Sequence, residues 1–292
     1  MRKGLSLIDR KGCIGFLQKL IQTTSLPGEE AEIAGVVVDE MLELGYDEAY
    51  ADPAGNVIGV YQGQGTGPGI MLNSHLDHVD VGDVSRWQRP PFGGEIDEGK
   101  VWGRGAVDIK GPLAAQVYGV ASLIAEQTRP PGDVTVTAVV QEEVGGVGAC
   151  HLVSRLDPGV VVIGEPSGNR VKRGHRGRTE LVVRAQGRSA HASAPDRGLN
   201  PLATIARFIL GLQHLEMTRD PDLGGSTVAP TLIRTDQTSP NVIPSEVELI
   251  CDWRNVPGEG AQTIRAILSE LGRECADAGV GVEVDVPRTE RK

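Results

Sequence analysis

The sequence predicts an α/β protein of two domains: a first with a largely parallel sheet flanked by helices, and a smaller second built β-α-β-β-α-β. Three observations carry this. The chain has 292 residues, enough for two separate cores. Up to about residue 165, short β-rich apolar runs alternate with stretches of helical periodicity, the rhythm of a layered sheet with helices on its faces. After Arg170 that rhythm changes, and no internal repeat links the two halves.

In order along the chain, residues 13–45 are helical in pattern. Phe16, Leu17, Leu20 and Ile21 recur at helical spacing, and Val36, Val37, Met41 and Leu44 do so after a break at Pro27-Gly28. β-rich runs follow at 56–61 and 69–73. The segment GQGTGPG between them lacks the Gly-Lys-Ser/Thr ending of a phosphate loop and is expected to be a hairpin connection. A helix is expected over 111–126, a strand over 134–140 (VTVTAVV), then a short helix and a strand in 159–164 (GVVVIG). The second half shows strand 178–186, helix 199–217, strands 227–235 and 246–254, helix 262–278 and strand 280–286, the ferredoxin-like split order. The boundary falls between 168 and 178, giving domains 1–174 and 175–287.

Composition removes several classes. A formal net charge of -10 disfavours a nucleic-acid partner, which needs clustered Lys and Arg. No stretch reaches the apolar length of a membrane span, and the start MRKGLSLIDRKG lacks a signal-peptide apolar region. Cys13, Cys150, Cys251 and Cys275 are scattered without a Cys-x-x-Cys pair, so free thiols and a cytoplasmic location are expected.

Chemistry concentrates at the ends of the expected elements. The strand 69–73 runs into Ser74-His75-Leu76-Asp77, and strand alternation puts His75 and Asp77 on one face. Ligands of open α/β sheets gather at the carboxyl ends of strands, and a metal-bound imidazole takes a carboxylate behind it, a place Asp77 can fill. Taken alone, the His-x-Asp pattern favours a strand-end histidine that makes a structural hydrogen bond. Asp108 lies among glycines just before a helix, where an N-cap is the plain alternative. Glu142 and Glu143 close the strand VTVTAVV, and adjacent acids at a buried strand end repel unless a cation lies between or beside them. Glu165 follows GVVVIG directly. One imidazole and several carboxylates at element ends of one domain suit zinc or a similar divalent ion, without thiolates.

Seven stretches, SHLDHVD, GRGAVDIKG, QEEVGG, GEPS, GRSAHAS, SPNVIP and DWRNVPGE, in this order and across nearly the whole chain, resemble the M20-type metallopeptidase/deacylase family. Acetylornithine deacetylase, succinyl-diaminopimelate desuccinylase and glutamate carboxypeptidase belong to it. The resemblance implies two zinc ions, with cobalt or manganese as substitutes. His75 and Glu165 would hold one ion, Glu143 the other, and Asp108 would bridge them. Glu142 would be the general base and Asp77 the support of His75. The second domain would be a lid that forms a homodimer. From it His191 would reach the oxyanion across that dimer, and Asn241 and Arg254 would bind a small substrate carrying a carboxylate. Without the surrounding motifs, His191 reads as a surface loop histidine and Arg254 as an exposed strand-end arginine. His78 would touch the site or line its mouth, His175 sits at the hinge, and His151 and His214 read as helix residues.

The resemblance also implies a last metal-binding histidine in a segment that returns to the first domain, yet no histidine follows His214. The expectation is therefore a C-terminally truncated chain holding one zinc tightly, with little hydrolysis. The function expected of the complete protein is hydrolysis of an amide bond in an N-acyl amino acid or small peptide. Two rivals remain: a non-catalytic fragment that dimerises through its lid, and a carboxylate-binding module. Retention of both Glu142 and Glu143 counts against the module, since binding alone needs no base.

Overall fold

The computed structural model describes residues 8–287, so most of the N-terminal stretch that lacks a signal-peptide pattern lies outside the described residues. The chain divides into two compact units, the first running through Arg170 and the second starting at Val171.

In the first unit, helices α1 (Arg10–Gln22), α2 (Ala31–Glu43) and α3 (Gly111–Ala125) lie against a five-stranded sheet. Its strands are β1 (Glu48–Ala51), β2 (Val57–Tyr61), β3 (Ile70–His75), β6 (Val134–Val139) and β7 (Val160–Ile163) in the order β1-β2-β6-β3-β7. The small ribbon β4 (Glu95–Asp97) and β5 (Lys100–Trp102) stands apart, and helix α4 (Val147–Val153) follows β6. β6, β3 and β7 run parallel, whereas β1 with β2 and β2 with β6 are antiparallel. The sheet is thus mixed, not largely parallel. The connection after β2 is no hairpin either, because β6 lies between β2 and β3 and takes up the hydrogen-bonding edges of both.

Alternation along the strands sorts side chains into two cores. Val57, Tyr61, Val134, Val136 and Ala138 pack with Phe16 and Leu20 of α1, Val37 and Met41 of α2, and Leu113 and Val117 of α3. Ile58 and Val139 face the other way and meet Leu152 of α4. Helix α2 crosses so close to β2 that a Cβ at Gly59 would lie 2.3 Å from the Met41 sulfur. β7 stays exposed along its whole length.

The second unit carries β8 (Thr179–Gln186), β12 (Thr227–Thr235), β14 (Glu246–Arg254) and β15 (Gly281–Asp285) in the antiparallel order β12-β14-β8-β15. Helices α5 (Pro201–Leu212) and α6 (Ala261–Cys275) bury Ile205, Phe208, Ile264 and Leu268 against Leu181, Val183, Leu249 and Trp253 of the sheet. Two short ribbons complete it: β9 (Ala190–His191) with β13 (Val242–Ile243), and β10 (Arg219–Asp220) with β11 (Gly224–Gly225). His214 lies in the turn after α5, not inside a helix.

One buried cation ties the first unit together. Lys110 is fully buried, and its Nζ donates to Leu20 O and Thr23 O, both at 2.8 Å, at the C-terminal end of α1. Burial pushes its pKa down to about 7, while two carbonyls at the negative end of a helix favour the ammonium. Lys110→Met should strip both buried carbonyls of their donor and lower stability by roughly 2–4 kcal/mol. Urea unfolding reads this directly, and an unchanged midpoint would show that other donors serve the carbonyls.

Candidate metal centre and acid cluster

The parallel course of β6, β3 and β7 brings their carboxyl ends to one side, and each end delivers a functional side chain. His75 is the last residue of β3, Gln141-Glu142-Glu143 follow β6, and Glu165 follows β7. Asp108 comes from the tight turn Ala106–Lys110 that precedes α3, so it is not the N-cap of that helix.

The imidazole of His75 is buried and oriented from behind. Its Nδ1 lies 3.0 Å from Asp77 O and 3.2 Å from Asp77 Oδ1, two acceptors, so Nδ1 carries the hydrogen. Nε2 therefore faces the acids: Asp108 Oδ1 at 3.1 Å, Glu142 Oε2 at 3.9 Å and Glu165 Oε1 at 4.0 Å. Burial alone would lower the pKa of His75. The hydrogen bond to Asp77 and the charges of Asp77, Glu142 and Asp108 outweigh it and raise the value to about 9. Glu143 and Glu165 are both raised, first by burial and then by the charge of Asp108.

Asp77 is itself fully buried. Burial raises its pKa, but the bond from His75 and the amides of Glu143 and Glu142 lower it further. Those amides donate to Asp77 Oδ2 at 3.0 Å and Oδ1 at 3.1 Å, so one carboxylate orients the histidine and anchors the acid pair. The pair is not sequestered at a buried strand end as its apolar strand suggests. Glu142 is exposed and Glu143 partly so, because the chain turns out of the sheet at Gln141, whose φ is +53°.

These residues fit a divalent cation. Among the described residues, ligand atoms of His75, Asp108 and Glu165 lie within 4.8 Å of one another. An imidazole nitrogen pointing at several carboxylates marks a place for positive charge, and one imidazole with two carboxylates is a donor set suited to zinc-type ions.

His78 stands outside this cluster. Its Nε2 accepts from the Ser25 amide at 3.0 Å, its Nδ1 lies 2.9 Å from Val79 O, and its ring packs on Phe92. Both nitrogens are engaged, so His78 is a buried structural residue and neither a ligand nor part of the site's mouth. His151 lies on α4 with Nε2 3.6 Å from Asp52, as a helix residue should.

In the second unit, β9 pairs with β13, and the Ala192 amide donates to Asn241 O at 2.9 Å, which sets Asn241 beside His191. His191 is exposed, with Nδ1 2.8 Å from Ser193 Oγ. Arg254 ends β14, exposed, and its Nε donates to Asp252 Oδ1 at 2.7 Å. His175 is exposed, with Nδ1 2.9 Å from the Arg176 carbonyl.

Sequence reasoning missed Glu30 and Asn56, which are buried and bonded to the backbone around the acid pair. A buried asparagine just before a strand, in Asp52-Pro53-Ala54-Gly55-Asn56, was the available signal.

Comparison with known proteins agrees with this geometry. Residues 71–286 match peptidase family M20/M25/M40. A succinyl-diaminopimelate desuccinylase of Cereibacter sphaeroides is 32% identical over 286 residues, covering 92% of this chain and 74% of that one. Among solved structures, the fold is shared with aminopeptidase PepT of Bacillus cereus (24% identity, TM-score 0.69, 96% of this chain and 77% of that one). It is shared also with the Bacillus subtilis YxeP protein, a dinuclear metal binding peptidase of family M20 (19% identity, TM-score 0.69, 94% and 72%). With its histidine and carboxylates gathered at the strand ends and the family match spanning both units, the chain belongs to peptidase family M20/M25/M40 and is a metal-dependent hydrolase of amide bonds.

Proposed function

We propose that the protein cleaves the amide bond of an N-acyl amino acid or small peptide that carries a carboxylate, with zinc as its metal. The observation that carries this is His75 Nε2 facing Asp108, Glu142 and Glu165 while Asp77 holds its other nitrogen. The desuccinylase relative supports an acylated amino-acid substrate, and the YxeP protein supports a two-metal centre.

In this reading His75 and Glu165 would hold one ion and Glu143 the other, with Asp108 serving both. When bound, the ions supply Lewis acidity, lowering the pKa of the attacking water and polarising the scissile carbonyl. Glu142 then takes the proton from that water and passes it to the departing amine. Asp77 keeps His75 in the Nδ1–H tautomer, so that Nε2 offers its lone pair. Arg254, oriented by Asp252, binds the substrate carboxylate through its remaining N–H groups, and Asn241 and His191 hold the substrate's carbonyl side.

The second domain, residues 175–287, is in this proposal a ferredoxin-like lid through which two chains dimerise, with the metal-binding domain at residues 1–174. The strand order β12-β14-β8-β15 supports the first part, and the long exposed edge strand β12 supports the second. Among the described residues no helix is long and apolar enough to cross a membrane. The four cysteines are unpaired thiols, which supports a cytoplasmic setting.

Three outcomes are expected. Prolonged chelation should abolish hydrolysis of an N-acyl amino acid, and zinc, cobalt or manganese should restore it; turnover that ignores chelation would sink the proposal. Glu142→Gln should lower kcat roughly 100- to 10 000-fold with metal content intact, whereas Glu143→Gln should lower metal content. Metal analysis and kinetics on the two variants would expose a reversed assignment. Arg254→Lys should cost roughly 10–100-fold in kcat/KM, since a point ammonium cannot replace a planar fork. The loss should shrink sharply on a substrate whose carboxylate has been amidated; equal losses on both substrates would remove Arg254 from the binding role.

A further inference from the structure

We propose that Glu30 and Asn56 are positioning residues for the acid pair Glu142–Glu143, acting by clamping the loop that carries it. The inference rests on the roles proposed above for that pair.

Where β6 ends, four successive amides leave the sheet, and each donates to a side-chain oxygen. Val140 donates to Asn56 Oδ1 at 3.1 Å, Gln141 to Glu30 Oε1 at 2.9 Å, and Glu142 and Glu143 to the two oxygens of Asp77. Asp77 is accounted for by His75. The other two acceptors are buried and lie outside the metal cluster, in segments distant in sequence.

Glu30 is the residue before helix α2, where an acid ordinarily turns its oxygens onto the helix's own first amides. It makes no such cap. Its carboxylate instead reaches Gln141, 111 positions away, which lies in the left-handed region. A non-glycine residue there is strained and persists only where its surroundings hold it. A charge-assisted bond to the Gln141 amide is such a hold. With Gln141 turned this way, the next two amides point at Asp77 and the Glu142 carboxylate comes to 3.9 Å from His75 Nε2.

Asn56 closes the loop at both ends. While its Oδ1 accepts from Val140, its Nδ2 donates to Gly148 O at 3.1 Å and to Asp52 Oδ2 at 2.9 Å. Gly148 in turn donates to Val140 O at 3.2 Å. A Cβ at Gly148 would lie 2.1 Å from Asn56 Oδ1, so glycine is what lets the bracket close. A side-chain amide supplies the two donor hydrogens and the acceptor that these three bonds use. Residues 141–147 are thereby held from below by Asn56 and from the side by Glu30, and the acid pair inherits that rigidity.

The test compares Glu30→Leu, Glu30→Gln and Asn56→Ala with the unaltered chain by zinc titration, the cobalt(II) absorption spectrum, steady-state kinetics and thermal melting of the metal-free protein. Glu30→Leu and Asn56→Ala should each lower metal affinity or kcat roughly 10–100-fold and alter the cobalt(II) spectrum. KM should stay near its original value. Glu30→Gln keeps an acceptor oxygen of the same reach and should recover most of both losses. A Leu variant with unaltered spectrum, affinity and kcat would overturn the proposal. So would a Gln variant that falls as far as Leu in step with its melting temperature, since that pattern reports burial alone. Where Glu30→Leu fails to fold, Asn56→Ala against the unaltered chain carries the same readouts: a weakened, spectrally altered site supports the clamp, and an unaltered one overturns it. Glu143→Gln run in parallel separates the two proposals. Silent clamp variants beside a metal-deficient Glu143→Gln refute the clamp only, whereas unchanged metal binding in Glu143→Gln removes the ligand assignment on which the clamp rests.

Discussion

The site depends on one buried carboxylate. Asp77 has no exposure to water and spends its two oxygens on three partners: the Nδ1 hydrogen of His75 and the amides of Glu142 and Glu143. A buried carboxylate without partners would be costly, and here every partner is a donor that belongs to the site. The same group that selects the tautomer of the histidine therefore sets where the acid pair leaves β6. Orientation of the imidazole and placement of the acids are a single structural event.

That event requires the sheet to be ordered as it is. β3 and β6 must be parallel neighbours for Asp77, just past one strand, to meet the amides just past the other. Insertion of β6 between β2 and β3 produces this adjacency, and it is also what removes the hairpin. Helices α1, α2 and α3 then bury one face, and the Lys110 bonds to the end of α1 fix the segment that carries Asp108. Packing far from the chemistry thus controls distances of 3 to 4 Å within it.

Electrostatics gives the cluster its purpose. Asp108, Glu142 and Glu165 gather at the Nε2 of His75. Burial first and then repulsion from Asp108 raise Glu143 and Glu165, while the hydrogen bond to Asp77 and the charges of Asp77, Glu142 and Asp108 raise His75. Left to itself this arrangement gathers protons. A divalent cation relieves the same repulsion with more charge and at neutral pH, which is the condition under which carboxylates serve as ligands.

Sequence by itself singled out the candidate residues of the site. His75, Asp77, Asp108, Glu142, Glu143 and Glu165 each stand where an apolar strand or a helix begins or ends, and such ends are legible because hydrophobic periodicity is local. The strand 246–254 of the second unit was legible for the same reason, since its buried and less buried residues alternate. Only the tertiary structure decided which strands are neighbours, because pairing depends on edges and faces distant in the chain, and periodicity is silent about them. It alone turned Gln141 into the left-handed region and exposed an acid pair that its apolar strand suggested was buried. It alone withdrew His78 to a purely structural place and brought Glu30 and Asn56 to the loop. Their contacts span 111 and 84 positions, and a hydrogen bond between backbone and a side chain that far away leaves no pattern in the neighbouring residues.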